Sequence, residues 1–385
     1  IGILAAILAV TASPAAETPS PTPDKTAITD GHVFHDVGLL WNHVTNWGLI
    51  GSAPSVSTPF SAAPSARWPG SDGQDYLWAG GLWVGGRLLG ETLVSTGSFQ
   101  SEFYPTEAAV DTIFPAVHGI VGGNRYPWPL ADDDHDGLED EDPLNGLDDD
   151  GDGQVDEDFA AIGDQSFRCG YLDNTAHIQE IHPDHNPLNI RVTQESYQWS
   201  HPRLEDTIGY QFSIENIGVV AIQDVYLGIY ADFDIATHLV GASDDLAGSW
   251  AGLVQTASGE WLDVYMVYML DSDANHPETG LSGFVLCGHD TDPDGQVAPE
   301  LVGPQALQIF RGNASFADGG DPTNDSERYQ LLSDGAWDPD TFTPNDYRVL
   351  LSCGPFAALQ PEEKLHFQVA LVAGSDLEDL VQNAA

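Results

Sequence analysis

Fifteen of the 27 residues from Asp132 to Asp158 are aspartate or glutamate, and none is lysine or arginine. A segment this anionic repels itself, so it cannot join a hydrophobic core and holds a compact shape only when cations fill it. The charge is also ordered. DDDHDGLEDEDP starts at Asp132 and DDDGDGQVDEDF at Asp148, two copies of one pattern offset by 16 residues. Aspartate at loop positions 1, 3 and 5, glycine at 6 and aspartate at 9 is the spacing with which a chain wraps oxygen ligands around calcium. Gly137 and Gly153 fall at the sharp turn, where a residue without Cβ takes backbone angles that side chains forbid. The first copy offers Asp132, Asp134, Asp136, the Leu138 carbonyl and Asp140 as ligands, and the second offers Asp148, Asp150, Asp152, the Gln154 carbonyl and Asp156.

A helix-flanked EF-hand carries a bidentate Glu at position 12. Here that position holds Pro143 and Phe159, and the nearest substitutes are Asp142 and Asp158, one residue earlier. The pattern resembles the calcium loops of thrombospondin type 3 repeats and, less closely, those of dockerin modules. The resemblance covers about 27 residues of 385. It implies bound Ca2+ and a loop-wrapped structure, and it says nothing about the rest of the chain. A solvated acidic linker is the competing reading. A third and weaker candidate, DTDPDGQVAPE, offers Asp290, Asp292, Asp294, Gly295 and Glu300, but Pro293 and the missing Asp at position 9 suit a surface turn equally well.

The acidity extends beyond the loops. Against 60 Asp and Glu stand 11 Lys and Arg, giving a formal charge of -49. Nucleic acid and anionic membrane surfaces would be repelled, so neither is an expected partner. Screening salt or bound calcium would relieve the self-repulsion, and the two explanations are compatible. Apolar residues still make up 42 per cent of the chain, with ten Trp, so the charge does not signal disorder. The 40 Gly and 25 Pro point to many turns, as in an all-β protein. Cys169, Cys287 and Cys353 form no CxxC; one disulfide with one leftover thiol is open, and the sequence does not choose a pair.

The segment 1–16 begins with IGILAAILAVTA, followed by the small-residue stretch SPAAE. It looks like the apolar region and cleavage zone of a secretory signal peptide and is too short to span a membrane. It also resembles the assembly helix of type IV pilins, although Pro14, Pro19, Pro21 and Pro23 would break such a helix. Residues 17–30 read as a Pro/Thr-rich linker. Both readings place the protein outside the cytoplasm, secreted or on the cell surface, with no integral membrane span.

Residues 31–130 and 161–385 read as β-rich parts flanking the double loop at 131–160. Strands are expected within His32 to Gly51 and Tyr76 to Thr96, and, with clear alternation, over Ile190 to Ser200, Thr207 to Glu215 and Val225 to Phe233. The run YQFSIENIGVVAIQDVYLGIYADFD resembles edge-and-turn segments of Ig-like bacterial surface domains. Further strands are expected at Trp261 to Leu270, Gly283 to Cys287, Tyr347 to Cys353 and Lys364 to Ala373, and a short helix at Asp376 to Asn383. Glu102 to Pro129 reads as irregular. Short runs punctuated by Gly, Pro and Asp predict an all-β fold, a jelly-roll or Ig-like β-sandwich in which both flanking parts can share a sheet.

No HExxH, GxSxG, P-loop or strand-following GxGxxG is present, so no catalytic residue is nominated. His177, His182 and His185, with Glu180 or Asp184, have a spacing that could serve a transition metal, though surface and turn histidines fit as well. Asp232 with Asp234, and Asp271 with Asp273, are Asp-x-Asp pairs at strand ends that serve either as turn formers or as joint calcium ligands. Ten Trp keep open a sugar-stacking cleft, and Asn313 and Asn324 head glycosylation sequons. The combined expectation is a secreted, non-enzymatic calcium-binding structural protein that assembles with copies of itself into an extracellular or cell-surface filament, tube or layer. The competing expectation is a calcium-stabilised secreted hydrolase or carbohydrate-binding protein.

Overall fold

The computed structural model describes residues 33–53, 62–117, 123–125, 159–161, 163–235, 242–256, 258–272, 279–290 and 302–385. The signal-like segment 1–16 and the linker 17–30 lie outside these residues. The described chain is an all-β sandwich with a short C-terminal helix, as the alternation in the sequence predicts. One antiparallel sheet has eight strands, in the order Asp245–Gln255, Trp261–Asp271, Leu281–His289, Lys364–Gly374, Thr207–Asn216, Ile190–Gln198, Gln165–Leu172 and Phe114–Val117. The second has five, in the order Gly303–Arg311, Tyr347–Leu359, Ile222–Phe233, Leu77–Leu88 and Glu91–Thr96. Strands from either side of the double loop meet in both sheets: Gln165–Leu172 pairs with Phe114–Val117, and Ile222–Phe233 pairs with Leu77–Leu88.

The core lies between the layers. Phe212, Ile214 and Phe367 of the eight-stranded sheet and Leu227, Ile229, Val349 and Leu351 of the five-stranded sheet belong to one buried cluster. Alternation along Ile190–Gln198 buries Ile190 and Val192, then Gln194, Ser196 and Gln198. The polar half of that strand is buried because the segment 33–53 folds over it with matching hydrogen-bond groups. His35 Nε2 meets Ser196 Oγ at 2.8 Å, the Val37 N–H donates to Gln198 Oε1 at 3.0 Å, and Asn42 donates to the Tyr210 hydroxyl at 2.8 Å. This segment contains only short strands, Val33–His35 and Asn42–Val44; its alternation records buried polar contacts.

The outer face of the five-stranded sheet is buried too. Trp83, Leu350, Phe310, Tyr329 and Leu332 form a separate cluster in which the helix Asp325–Ser333 lies on the sheet. Gly228 lets it approach: a Cβ there would stand 2.6 Å from Leu332 Cδ2. The helix is started by Asn324, whose side chain accepts from the Glu327 N–H at 3.1 Å. The C-terminal helix Leu377–Asn383 is capped in the same way by Asp376 and buries Leu380 and Val381 against the eight-stranded sheet. Among the described residues no helix is long and apolar enough to cross a membrane, and no disulfide joins any two of Cys169, Cys287 and Cys353.

Candidate functional site

The twelve calcium ligands expected in the double loop, from Asp132 to Asp158, lie outside the described residues, as do Asp292, Asp294, Gly295 and Glu300 of the third candidate. Asp290 of that candidate instead accepts from the His366 N–H and meets His366 Nδ1, both at 2.8 Å. The structure does bring one sequence-flagged pair into a cluster. On Ile222–Phe233, Tyr226, Gly228, Tyr230 and Asp232 point outward by alternation, and Asp234 follows just past the strand end. The neighbouring strand begins at Tyr347, so Arg348 comes opposite Asp232 and Asp346 lies beside them. One carboxylate oxygen from each of Asp232, Asp234 and Asp346 lies within 4.8 Å of the others. Among the described residues this is the one set of three or more His, Cys, Asp or Glu close enough to share an ion, and it could hold a metal ion. The histidines His177, His182 and His185 do not converge in this way.

Charge in this cluster is unbalanced. Arg348 Nε reaches Asp232 Oδ2 at 3.0 Å, and its Nη1 also pairs with Asp346. Asp232 Oδ1 is buried with no hydrogen-bond partner, and so are both side-chain oxygens of Asp245. Asp245 opens the edge strand Asp245–Gln255, where its carbonyl accepts from the Asn345 N–H at 3.0 Å, next to Asp346. Burial, followed by the charges of Asp234, Asp244 and Asp271, pushes the Asp245 carboxyl up to about 10, against the pull of the Ile235 amide. Burial lifts Asp234 to about 6, with Arg348 opposing and Asp346 and Asp244 adding to it, and drives Asp232 well above the usual carboxylate range. A hard cation with oxygen ligands, held by Asp232, Asp234 and Asp346, would pull the Asp232 and Asp234 values back down, which matches the chemistry of this donor set. Asp232 and Asp234 were legible as an Asp-x-Asp pair. Asp245, Asp346 and Arg348 were not, because sheet pairing brings them from more than ten residues away.

A groove runs beside this cluster. Three adjoining cavities of about 780, 400 and 460 Å³ all have His182 in their lining. The first two share Glu102 and Arg328, and the last two share Phe99 and Gln100. At the junction Arg328 Nη1 lies 3.3 Å from Glu102 Oε1 and 3.1 Å from Asp325 Oδ1, while His185 Nδ1 sits 3.5 Å from Glu102 Oε1. At that distance the histidine makes an ion pair and not a well-formed hydrogen bond. Its Nε2 meets the Asp173 carbonyl at 3.2 Å. His177 leaves the group altogether and packs on Tyr104, ring centroids 4.0 Å apart.

This network sets a pH window. Burial disfavours charge on His185, but Glu102, Asp173 and Asp325 together hold its pKa above the ordinary 6.5. Glu102 is itself held below 4.5: burial opposes its charge, and His185 and Arg328 outweigh it. Stability from His185 is therefore fully present below about pH 6.5 and is lost as pH rises through its folded value; that from Glu102 is present above about pH 4.5 and lost on acidification. Asp173, raised by burial to about 6, makes its own loss earlier, as pH rises from 3.8 to about 6. Glu102→Gln is expected to flatten the fall in melting temperature between weakly acidic and weakly alkaline pH. The slope it removes is at most one proton's worth, about 1.4 kcal/mol per pH unit. Thermal melts across pH, compared with wild type, check this.

No family model matches the chain, and no curated protein does. Among solved structures it is similar to a bacterial glucoamylase complexed with acarbose, at 9% identity and a TM-score of 0.41, over 93% of this chain and 35% of that one. It is also similar to a protein from Synechocystis sp. PCC 6803, at 9% identity and a TM-score of 0.35, over 93% of this chain and 99% of that one. A copper-containing benzylamine oxidase from Hansenula polymorpha shares 9% identity over 55% of this chain and 39% of that one, with a TM-score of 0.27. The chain thus spans about a third of the glucoamylase's length. Likenesses this distant carry no argument about function.

Proposed function

We propose that the chain is an exported, calcium-dependent structural protein that associates with copies of itself into an extracellular or cell-surface filament, tube or layer. The observation that supports calcium is the carboxylate excess around Asp232, Asp234, Asp245 and Asp346, which one guanidinium only partly offsets. Calcium at Asp232, Asp234 and Asp346, together with the Asp-rich loops, supplies the missing positive charge. Extracellular calcium modules bind with dissociation constants of about 0.1–1 mM, so the sites fill outside the cell and empty inside it.

A surface for self-association lies at the edge of the eight-stranded sheet. The first half of Asp245–Gln255 is covered where Thr341 and Asp340 bond to Ala247 and Ser249. The second half carries Leu253, 59% exposed, beside Trp261, 60% exposed, and these flank an apolar cavity of about 550 Å³ closed by Leu377 and Val381. A sheet edge with an apolar patch is a template for another chain. Copies carrying a charge of -49 repel one another until cations bind, which couples association to calcium.

Sedimentation velocity at low salt tests the coupling. The protein is expected to associate in about 1 mM calcium and to dissociate on chelation. Leu253→Lys should abolish association and leave the calcium-induced rise in melting temperature intact. A protein that stays monomeric in both conditions sinks the proposal.

A further inference from the structure

The middle cavity of the groove, about 400 Å³, lies within the size range of small-molecule sites. Its wall is aromatic. Trp83 and Tyr230 stack with ring centroids 5.0 Å apart at 7°, and the half-buried Trp78 and Phe99 meet at 5.3 Å and 59°. Trp83 is 5% exposed, yet its Nε1 donor has no hydrogen-bond partner. Buried indole N–H groups are normally satisfied, so a desolvated donor lining a cavity marks a place where something else accepts its hydrogen bond. The Asp232 carboxyl, whose Oδ1 is also unpartnered, lines the same cavity.

The charges in the wall narrow the ligand class. Arg348 pairs with Asp232 at 3.0 Å and Arg328 with Glu102 at 3.3 Å, while Asp321 completes the charged lining, so the two guanidiniums offset most but not all of the carboxylates in the wall. A strongly anionic ligand finds no net counter-charge there. What fits is a neutral molecule with hydroxyls for the polar groups and an apolar ring face for the aromatic side chains. The adjoining cavities extend the groove on both sides, giving room for several rings in a row.

We propose that this groove is a carbohydrate-binding site for a neutral oligosaccharide chain, with Trp78 and Phe99 as stacking surfaces and Trp83 Nε1 as a hydroxyl-directed donor. The site goes beyond the calcium-dependent assembly proposed above and stands without it. It gives the protein a means of attachment to a glycan surface.

The test is an array of neutral and anionic oligosaccharides probed with the full chain in calcium and in chelator, followed by calorimetric titration of the best neutral one. Binding of a neutral oligosaccharide in either condition is expected. Trp78→Ala and Trp83→Phe, the latter keeping an aromatic ring and deleting only the donor, should each weaken it by about tenfold or more. Phe342→Ala, 90% exposed and outside the groove lining, should bind as wild type. Melting temperatures are measured alongside, so that a folding defect in Trp83→Phe leaves Trp78→Ala to decide. Binding of anionic sugars alone, no binding to any sugar, or unchanged affinity in folded Trp78→Ala would overturn the proposal.

Discussion

Arg348→Ala is expected to destabilise the calcium-free protein by about 3–5 kcal/mol, the usual consequence of leaving buried carboxylates without their partner. The Arg348 side chain is 15% exposed and that of Asp232 only 4%, so little water replaces the lost guanidinium. Asp346 loses its pairing at the same stroke. Calcium should recover part of the loss, because an ion among Asp232, Asp234 and Asp346 takes over the neutralisation. Arg348→Lys keeps the charge but not the planar fork and should fall between the two. Urea denaturation of the three proteins in calcium and in chelator gives these numbers directly. Equal destabilisation of Arg348→Ala in both conditions would argue against a cation at the triad.

The second large effect is calcium's own. At a free concentration a hundred times its dissociation constant, an ion that binds only the folded form adds about 2.7 kcal/mol per site. In a chain of this size that raises the melting temperature by roughly 5 °C, at about 2 °C per kcal/mol. Asp234→Asn is expected to remove one site's share and leave the part contributed by the Asp-rich loops. Asp234 is the informative position because it belongs to the triad and also raises the neighbouring Asp245. Differential scanning calorimetry with and without chelator reads both contributions. A calcium response unchanged by Asp234→Asn would place all of it elsewhere.

Alternation carried most of the fold. Ile190–Gln198, Thr207–Asn216, Trp261–Asp271 and Lys364–Gly374 lie within two residues of their sequence-based bounds, the first two because buried and half-buried residues alternate along them. Gln165–Leu172 gave no such signal, since all eight of its residues are buried. Asp245–Gln255 is a Gly- and Ala-containing edge, and Gly303–Arg311 starts with Gly-Pro on the other sheet's edge, a position where proline is tolerated. The helix Asp325–Ser333 was hidden behind a glycosylation sequon at Asn324, although Asn324 and Glu327 have the spacing of a capping box.

The candidate site was half legible for a related reason. Asp-x-Asp at 232 and 234 is visible in the chain, whereas its partner Asp346 and its counter-charge Arg348 lie just before and at the start of a strand more than a hundred residues on. The groove likewise joins Trp78 and Trp83 to Arg328 and Arg348 through sheet pairing and a covering helix. Trp250 Nε1 and oxygens of Asp244 and Asp245 are also buried without partners, so it is the meeting of Trp83 Nε1 and Asp232 Oδ1 at one cavity that singles these residues out.

Whether divalent ions neutralise the buried carboxylates is decided most directly by anomalous diffraction from crystals grown with calcium. An ion held by Asp232, Asp234 and Asp346, with calcium to oxygen distances of about 2.3–2.6 Å, is the expected result. A cluster bridged by Arg348 alone, with no ion among the three carboxylates at saturating calcium, is the result that would contradict it.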